Sequence, residues 1–526
     1  MLNDPETARL LEAAKRAYAG GDKPGAAALA RQVLLRAPGE ATALQILGVV
    51  ALDDGDYASA RRHLEASNAA RPDAATFNMI GVAAGRMGDA AAARAAFTQA
   101  GELGLVDGWR NLAVSEKGEA QVAAYRRALA LAPNDVASHA GLAQALEARH
   151  DLAGAKMHAN VALRSDATNA TARLALARVL MREKDFAGAE AAVAPLLQAP
   201  RVAPEQRVLA LGLIGDARDR RDDAHGAFQA FTAANQLSLQ LHGAWLNAAE
   251  RLYHPASVRR MAELTAALNI SEWPLVSAHR SPVFLVGFPR SGTTLLDQIL
   301  SSHSQIVCLE ESEHFSDALG EVITDRARVW QLESLTDDEI ARIRESYWRR
   351  LQAPDGAIVV DKFPLNIVVL PWIKRVFPDA KIVFALRDPR DVVLSCYQQR
   401  FTINAAMAQF LELERAAAYY DQVMALFELC RGRLGLDLHQ ARYEDVVGDL
   451  EGAARSLSAF LGAPFEAAML NYRETALGRD IATPSARQVI EPLYNRSIGR
   501  WRRYAAELGP VLPVLTPWAS RYGYAP

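Results

Sequence analysis

Apolar positions follow two different patterns along this chain. Up to about residue 240 they are carried mainly by Ala and Leu, interleaved with Arg and with few strand-forming runs. Such residues are strong helix formers, so this stretch predicts helices. Turn signals recur within it: Gly21-Asp22, Gly55-Asp56 and Gly88-Asp89 stand 34 and 33 residues apart. Segments beginning at residues 41, 136, 170 and 205 each place an Ala at their twentieth position, Ala60, Ala155, Ala189 and Ala224. Pro38, Pro72 and Pro133 follow helical stretches that they cannot continue. A period near 34, with Leu47-Gly48 in a first helix, a small residue in a second and a closing Pro, predicts stacked helix pairs. By this period there are about seven units between residues 7 and 238, some of them degenerate.

Residues 239 to 280 read as a capping helix and connector. Beyond Ser281 the runs "PVFLVG", "AIVVDK" and "KIVFALRD" are short, apolar and separated by helical stretches. That alternation predicts a parallel sheet covered by helices, with its sites at the carboxyl ends of the strands. The expected organisation is an α-solenoid over 1–240, a connector over 241–280 and an α/β domain over 281–526. The first pattern resembles the tetratricopeptide repeat, which implies a curved solenoid whose concave face can hold a peptide or protein segment.

Composition narrows the choice only a little. The chain has 526 residues, 23% of them charged, and a net charge of −3, which gives no reason to expect nucleic acid as a partner. Cys308, Cys396 and Cys430 are too widely spaced for a zinc site or a disulfide framework, and reduced, buried thiols are expected. The first residues lack the apolar core of a signal peptide, and no run of 18 apolar residues could span a membrane. A cytoplasmic location is expected.

Chemistry enters at "FLVGFPRSGTTLLDQIL", residues 284 to 300, where a strand-like run passes through a Gly-bearing turn into an amphipathic helix. Backbone N–H groups from Arg290 to Leu295 can converge on an anion at such a helix N-terminus. Arg290 adds a permanently charged fork, and Ser291, Thr293 and Thr294 add hydroxyls around Gly292. Nucleotide-hydrolysing P-loops need a Lys after the second Gly and a carboxylate for magnesium. Here Thr293 stands in place of that Lys, so the sequence predicts a phosphate-like ligand bound without a metal.

"PRSGTT" is similar to the 5′-phosphosulfate-binding loop of the sulfotransferases, and residues 281 to 505 resemble that family. The implied donor, a co-substrate, is 3′-phosphoadenosine 5′-phosphosulfate (PAPS). "KIVFALRDPRDVVLSCYQQRF" places Arg387 and Ser395 eight residues apart, as in the family's 3′-phosphate-binding pair. Within the superfamily, "HSQIVCLEESEHF" resembles the protein-tyrosine sulfotransferases, whose second Glu of a Glu-Glu pair is the general base. That implies Glu311 here, with Glu310 and Glu313 as solvated neighbours and His303 or His314 as alternative bases. The resemblance makes Lys362, in "AIVVDKFPLN", the catalytic lysine that stabilises the bridging oxygen, so the lysine missing from the loop arrives on another strand. Tyr443, Ser485 and Arg500 match positions bordering the nucleotide. Two departures stand out: Arg500 replaces a Lys, and Gln399-Arg400 lies where a further Arg is expected twelve residues after Arg387.

Repeats joined to such a domain resemble a bacterial type of sulfotransferase. The expected acceptor is tyrosine in a polypeptide recruited by the repeats. The same chemistry on a glycan or small hydroxyl compound stays open, as does a repeat scaffold with a non-catalytic nucleotide-binding domain. Intact Arg290, Glu311, Lys362, Arg387 and Ser395 speak against the scaffold, and Thr293 speaks against a P-loop kinase.

Overall fold

Asp is the residue that organises the helix pairs. The computed structural model describes residues 4–271, 273, 280–309, 311–325, 327–351, 353–354, 356–478 and 496–525. Twelve α-helices, from Pro5–Ala19 to Phe186–Val193, form six successive pairs. In most pairs the first helix ends on a left-handed residue, and the next residue is an Asp that caps the second helix. The left-handed residue is Gly21, Gly55 or Gly88 in three pairs, with φ between 79° and 84°, and His150 (φ 70°) or Lys184 (φ 65°) in two others. Asp22, Asp56, Asp89, Asp151 and Asp185 each accept the N–H three residues on, at 2.8–3.1 Å. Such a cap satisfies a backbone donor that the helix itself cannot.

The closing prolines stand two residues past the helices Lys23–Arg36, Tyr57–Ala70 and Gly118–Leu131. A Cβ at Gly48 or Gly81 would lie 2.5 Å from Leu64 or Phe97, so glycine lets the two helices of each pair touch. Ala60, Ala155 and Ala189 are fully buried.

Two compact units divide the chain, Met1–Val202 and Ala203–Pro526. The second begins with a seventh helix pair, Pro204–Arg220 and Ala224–His242, built to the same plan. Asp222 (φ 64°) takes the left-handed position, Asp223 caps at 2.8 Å, and a Cβ at Gly215 would lie 2.5 Å from Phe231. Here the expected register fails. Ala224 is only half-buried, and Ala227 occupies the fully buried position. The cause is length: the first helix has 17 residues where the helix Ala41–Asp53 has 13, which displaces the second helix along the sequence.

The rest of the second unit is a five-stranded sheet. Its strands are β1 (Val283–Gly287), β2 (Ile306–Leu309), β3 (Ile358–Lys362), β4 (Lys381–Leu386) and β5 (Asp437–Arg442). Their order is β2-β3-β1-β4-β5, every pairing parallel. Alternate residues of β1 face two cores. Phe284 and Val286 join one that includes Ala227 and Phe231 of the seventh helix pair, while Val283 and Leu285 join a smaller one with Leu296 and Ile299. Successive strands are added on one side of β1 and then on the other, so the chain reverses at β1. In doubly wound sheets the crevice above that point is where ligands bind. Cys308, Cys396 and Cys430 are buried, and none forms a disulfide among the described residues. Among the described residues no helix is long and apolar enough to cross a membrane.

Candidate active site

The carboxyl ends of β1, β3 and β4 meet at one place, and each delivers one cationic side chain. After Gly287 the loop runs through Phe288-Pro289-Arg290-Ser291 to Gly292, and the helix Thr293–Ser301 follows. Gly292 is left-handed (φ 97°) and lies flush against Tyr443, whose ring would be 2.8 Å from an added Cβ. Arg290 is also left-handed (φ 72°), a conformation that carries strain for a residue with a side chain. The N–H of Ser291 donates to Phe288 O (3.2 Å) and that of Leu295 to Gly292 O (3.0 Å). The N–H groups of Ser291 and Leu295 are therefore engaged by the loop and helix themselves. The cradle is narrower than the one the sequence implies.

Arg290 Nε donates to Ser395 Oγ at 3.0 Å, which ties the loop to the helix Pro389–Gln398 after β4. Arg387 lies beneath this contact. Its Nη1 donates to Arg290 O (3.2 Å), its Nη2 donates to Ser497 O (2.6 Å), and its guanidinium sits 4.9 Å from the Tyr443 ring centre. Asp391 stands 4.0 Å from the same guanidinium and accepts the N–H groups of Gly499 and Trp501 at 2.7 Å. Burial raises the Asp391 pKa, with Arg387 opposing the rise.

Lys362 ends β3 with its side chain 1% exposed. Its Nζ donates to Glu311 Oε1 at 2.9 Å and stands 3.9 Å from Asp297 Oδ2. A buried ammonium without partners would be costly, and these two carboxylates meet that demand. Asp297 lies on the helix after the loop, is 3% exposed, and accepts from Gln298 Nε2 (2.9 Å) and Ser301 Oγ (3.2 Å). The sequence reading passed over it. Its signal was a lone acid inside the apolar stretch "TTLLDQIL".

Both ring nitrogens of His303 are engaged: Nε2 lies 2.7 Å from Pro464 O, and Nδ1 accepts the Gln305 N–H at 3.0 Å and stands 3.7 Å from Glu466 Oε1. His314 begins the helix His314–Val322 half-buried, and burial lowers its pKa. Glu313 is exposed. Glu310 and Ser485 lie outside the described residues.

Arg500 and Arg400 turn toward the seventh helix pair. Arg500 Nη2 pairs with Asp219 Oδ2 at 2.9 Å, and Arg400 Nη2 donates to Asp216 Oδ2 at 2.5 Å. The Gln399 side chain donates from Nε2 to the Arg400 carbonyl at 3.4 Å. Asp216 and Asp219 were missed because the acid-rich stretch "GDARDRRDD" reads as a solvated helix end.

Known proteins resemble different parts of the chain. The model of the sulfotransferase family matches residues 282–467. An uncharacterized protein of Aquifex aeolicus is 27% identical over 334 residues, covering 61% of this chain. The chain spans only 43% of that protein's length. Protein-tyrosine sulfotransferase 1 of Danio rerio is 23% identical over 290 residues, covering 50% of this chain and 78% of its own. A tetratricopeptide repeat protein from Parabacteroides merdae superposes with a TM-score of 0.35 and 12% identity over 44% of this chain and 94% of its own. Residues 282–467 are thus similar to the sulfotransferase family, and the helix pairs before them keep the period of tetratricopeptide repeats.

Proposed function

We propose that the second unit transfers the sulfuryl group of PAPS to a hydroxyl acceptor, and that the acceptor is a tyrosine in a polypeptide recruited by the repeats. The observation that carries this reading is the Lys362–Glu311 pair, 2.9 Å apart, beside a phosphate-type loop that lacks its own lysine. Support for tyrosine comes from relatives named as protein-tyrosine sulfotransferases, at 22–26% identity.

The residues present fit the donor. Arg387 Nε is buried and has no hydrogen-bond partner among the described residues, and a phosphate oxygen would satisfy it with a charge-assisted bond. In this reading Arg387 and Ser395 hold the 3′-phosphate, while Arg290 and the N–H groups of Gly292, Thr293 and Thr294 hold the 5′-phosphosulfate. When bound, PAPS supplies a sulfuryl group attached to a phosphate leaving group. Glu311 takes the proton of the acceptor hydroxyl as the new S–O bond forms and the old bond to the phosphate oxygen breaks. A phenol with a pKa near 10 needs such a base at neutral pH. Lys362 places positive charge where that oxygen gains negative charge, and Asp297 keeps the ammonium in place as Glu311 turns to the acceptor.

The test uses the full chain with isotopically labelled PAPS and lysate proteins, read by mass spectrometry for tyrosine O-sulfate. Glu311→Gln should retain affinity for adenosine 3′,5′-bisphosphate while turnover falls by about 10²–10⁴-fold. Label found only in glycan or small-molecule fractions would overturn the acceptor assignment. A fully active Glu311→Gln enzyme would remove Glu311 as the base.

A further inference from the structure

We propose that Asp219, on the seventh helix pair, is a positioning residue for the 3′-phosphate end of the donor site. The inference rests on the donor reading above and adds a part of the molecule to it. Asp219 is 7% exposed near the end of the helix Pro204–Arg220. Its carboxylate pairs with Arg500 Nη2 (2.9 Å) and Arg503 Nη1 (3.5 Å) and accepts from Tyr504 OH (2.5 Å). Its backbone carbonyl accepts from Arg503 Nη2 at 2.8 Å. One acidic residue therefore gathers three side chains of the turn at 500–504.

That turn is held from the opposite direction by the 3′-phosphate elements. Arg387 donates to Ser497 O, and Asp391 accepts from Gly499 N and Trp501 N. The segment 497–504 is thus pinned between the helix Pro389–Gln398 and a helix of repeat type, with Arg500 between the two anchors. A guanidinium has five N–H donors in one rigid plane, so an ion pair along one edge aims the others. A lysine at this position would need no such fixing.

The pattern of departures points the same way. Arg500 and Arg400 mark the two places where this chain deviates from the family's donor-site motifs, and both pair with acids one turn apart on a single helix, Asp219 and Asp216. Substitution of the donor-site cation and burial of its counter-charge belong together. The seventh helix pair is accordingly a wall of the donor site, although its sequence is that of a repeat.

The experiment is calorimetry of adenosine 3′,5′-bisphosphate binding to the full chain, in wild type, Asp219→Asn, Arg500→Ala and the double variant. Asp219→Asn should weaken binding about tenfold, the effect of loosening one charged contact. On the Arg500→Ala background the same change should cost less than about twofold, because Asp219 acts through Arg500. Asp219→Glu, which keeps a carboxylate, should recover most of the affinity, and it serves as the test pair with wild type if Asp219→Asn does not fold. Three outcomes overturn the inference: unchanged affinity in Asp219→Asn, equal loss with and without Arg500, or no recovery in a folded Asp219→Glu. Failure of the wild type to bind the bisphosphate would instead remove the donor reading on which the inference stands.

Discussion

In the six helix pairs of Met1–Val202, acids work at the surface. They cap second helices, and among the described residues Glu147 is the one Asp, Glu, Lys or Arg that is buried. The unit Ala203–Pro526 differs, for it buries Asp219, Asp297, Asp361, Lys362, Arg387, Asp388, Arg390 and Asp391. A buried charge must be matched by partners, and its removal leaves those partners stranded. A cap is worth only about 1 kcal/mol and can be exchanged for Ser, Thr or Asn. The contrast sets the six pairs apart from the second unit, and the seventh helix pair shares that unit's buried charge. That pair has the Asp cap and the Gly–Phe contact of a repeat, yet it carries Asp219 into the interior.

The largest effect tests where that boundary lies. Removing residues 1–202 should leave a folded α/β unit that binds adenosine 3′,5′-bisphosphate. Removing 1–240 should abolish folding, because it strips Ala227 and Phe231 from the main core and takes away Asp219, Asp216 and Asn235, which donates to Tyr397 O at 2.9 Å. Loss of a core Phe alone costs about 3–5 kcal/mol. Thermal unfolding of the two truncations reads the difference, and equal stability would erase the distinction between the seventh pair and the other six.

A smaller effect tests the cost of interior charge. Asp361 lies on the face of β3 opposite Lys362, fully buried, with Tyr347 OH donating to it at 3.0 Å. Burial raises its pKa from 3.8 to about 7. The folded state therefore holds this proton more tightly than the unfolded state does. The stability it confers is complete below about pH 4 and is lost as pH rises through 7, at most ~4 kcal/mol for ~3 pKa units. Asp361→Asn should melt higher than wild type at pH 8, with the gap closing toward pH 5. A gap independent of pH would show that Asp361 titrates normally.

The smallest effect belongs to the repeats. Lys184 holds a left-handed conformation that glycine fills in three other pairs. Lys184→Gly should stabilise the first unit by roughly 0.5–1 kcal/mol, and Gly55→Ala should destabilise it by a similar amount, read as shifts in urea midpoint. Matching signs for the two variants would contradict the shared turn geometry.

Local rules made much of this architecture legible. The Gly-Asp turns, the closing prolines and the apolar strand runs each follow from one stretch of chain, and the strands and the loop at 288–292 lie where the sequence puts them. What escaped was written in long-range contacts. His150, Lys184 and Asp222 hid three further turns because nothing in those residues announces a left-handed backbone. A longer first helix moved Ala227 into the place expected of Ala224. The partners of Arg500 and Arg400 lie more than 180 residues earlier, at Asp219 and Asp216, and no spacing rule reaches that far. Glu311 and Lys362 were singled out through resemblance, since an acid-rich turn and a strand-end lysine carry no local sign that their side chains stand 2.9 Å apart.

The left-handed backbone at Arg290 carries a lesson for selection experiments. Glycine would relieve a strain of about 1–2 kcal/mol at that position. A library enriched for thermal tolerance alone would accumulate glycine at 290 and discard the guanidinium that reaches Ser395. A library enriched for the proposed sulfuryl transfer would keep arginine in spite of the strain. Position 290 therefore reports, in a single codon, which of the two pressures a population of variants has met.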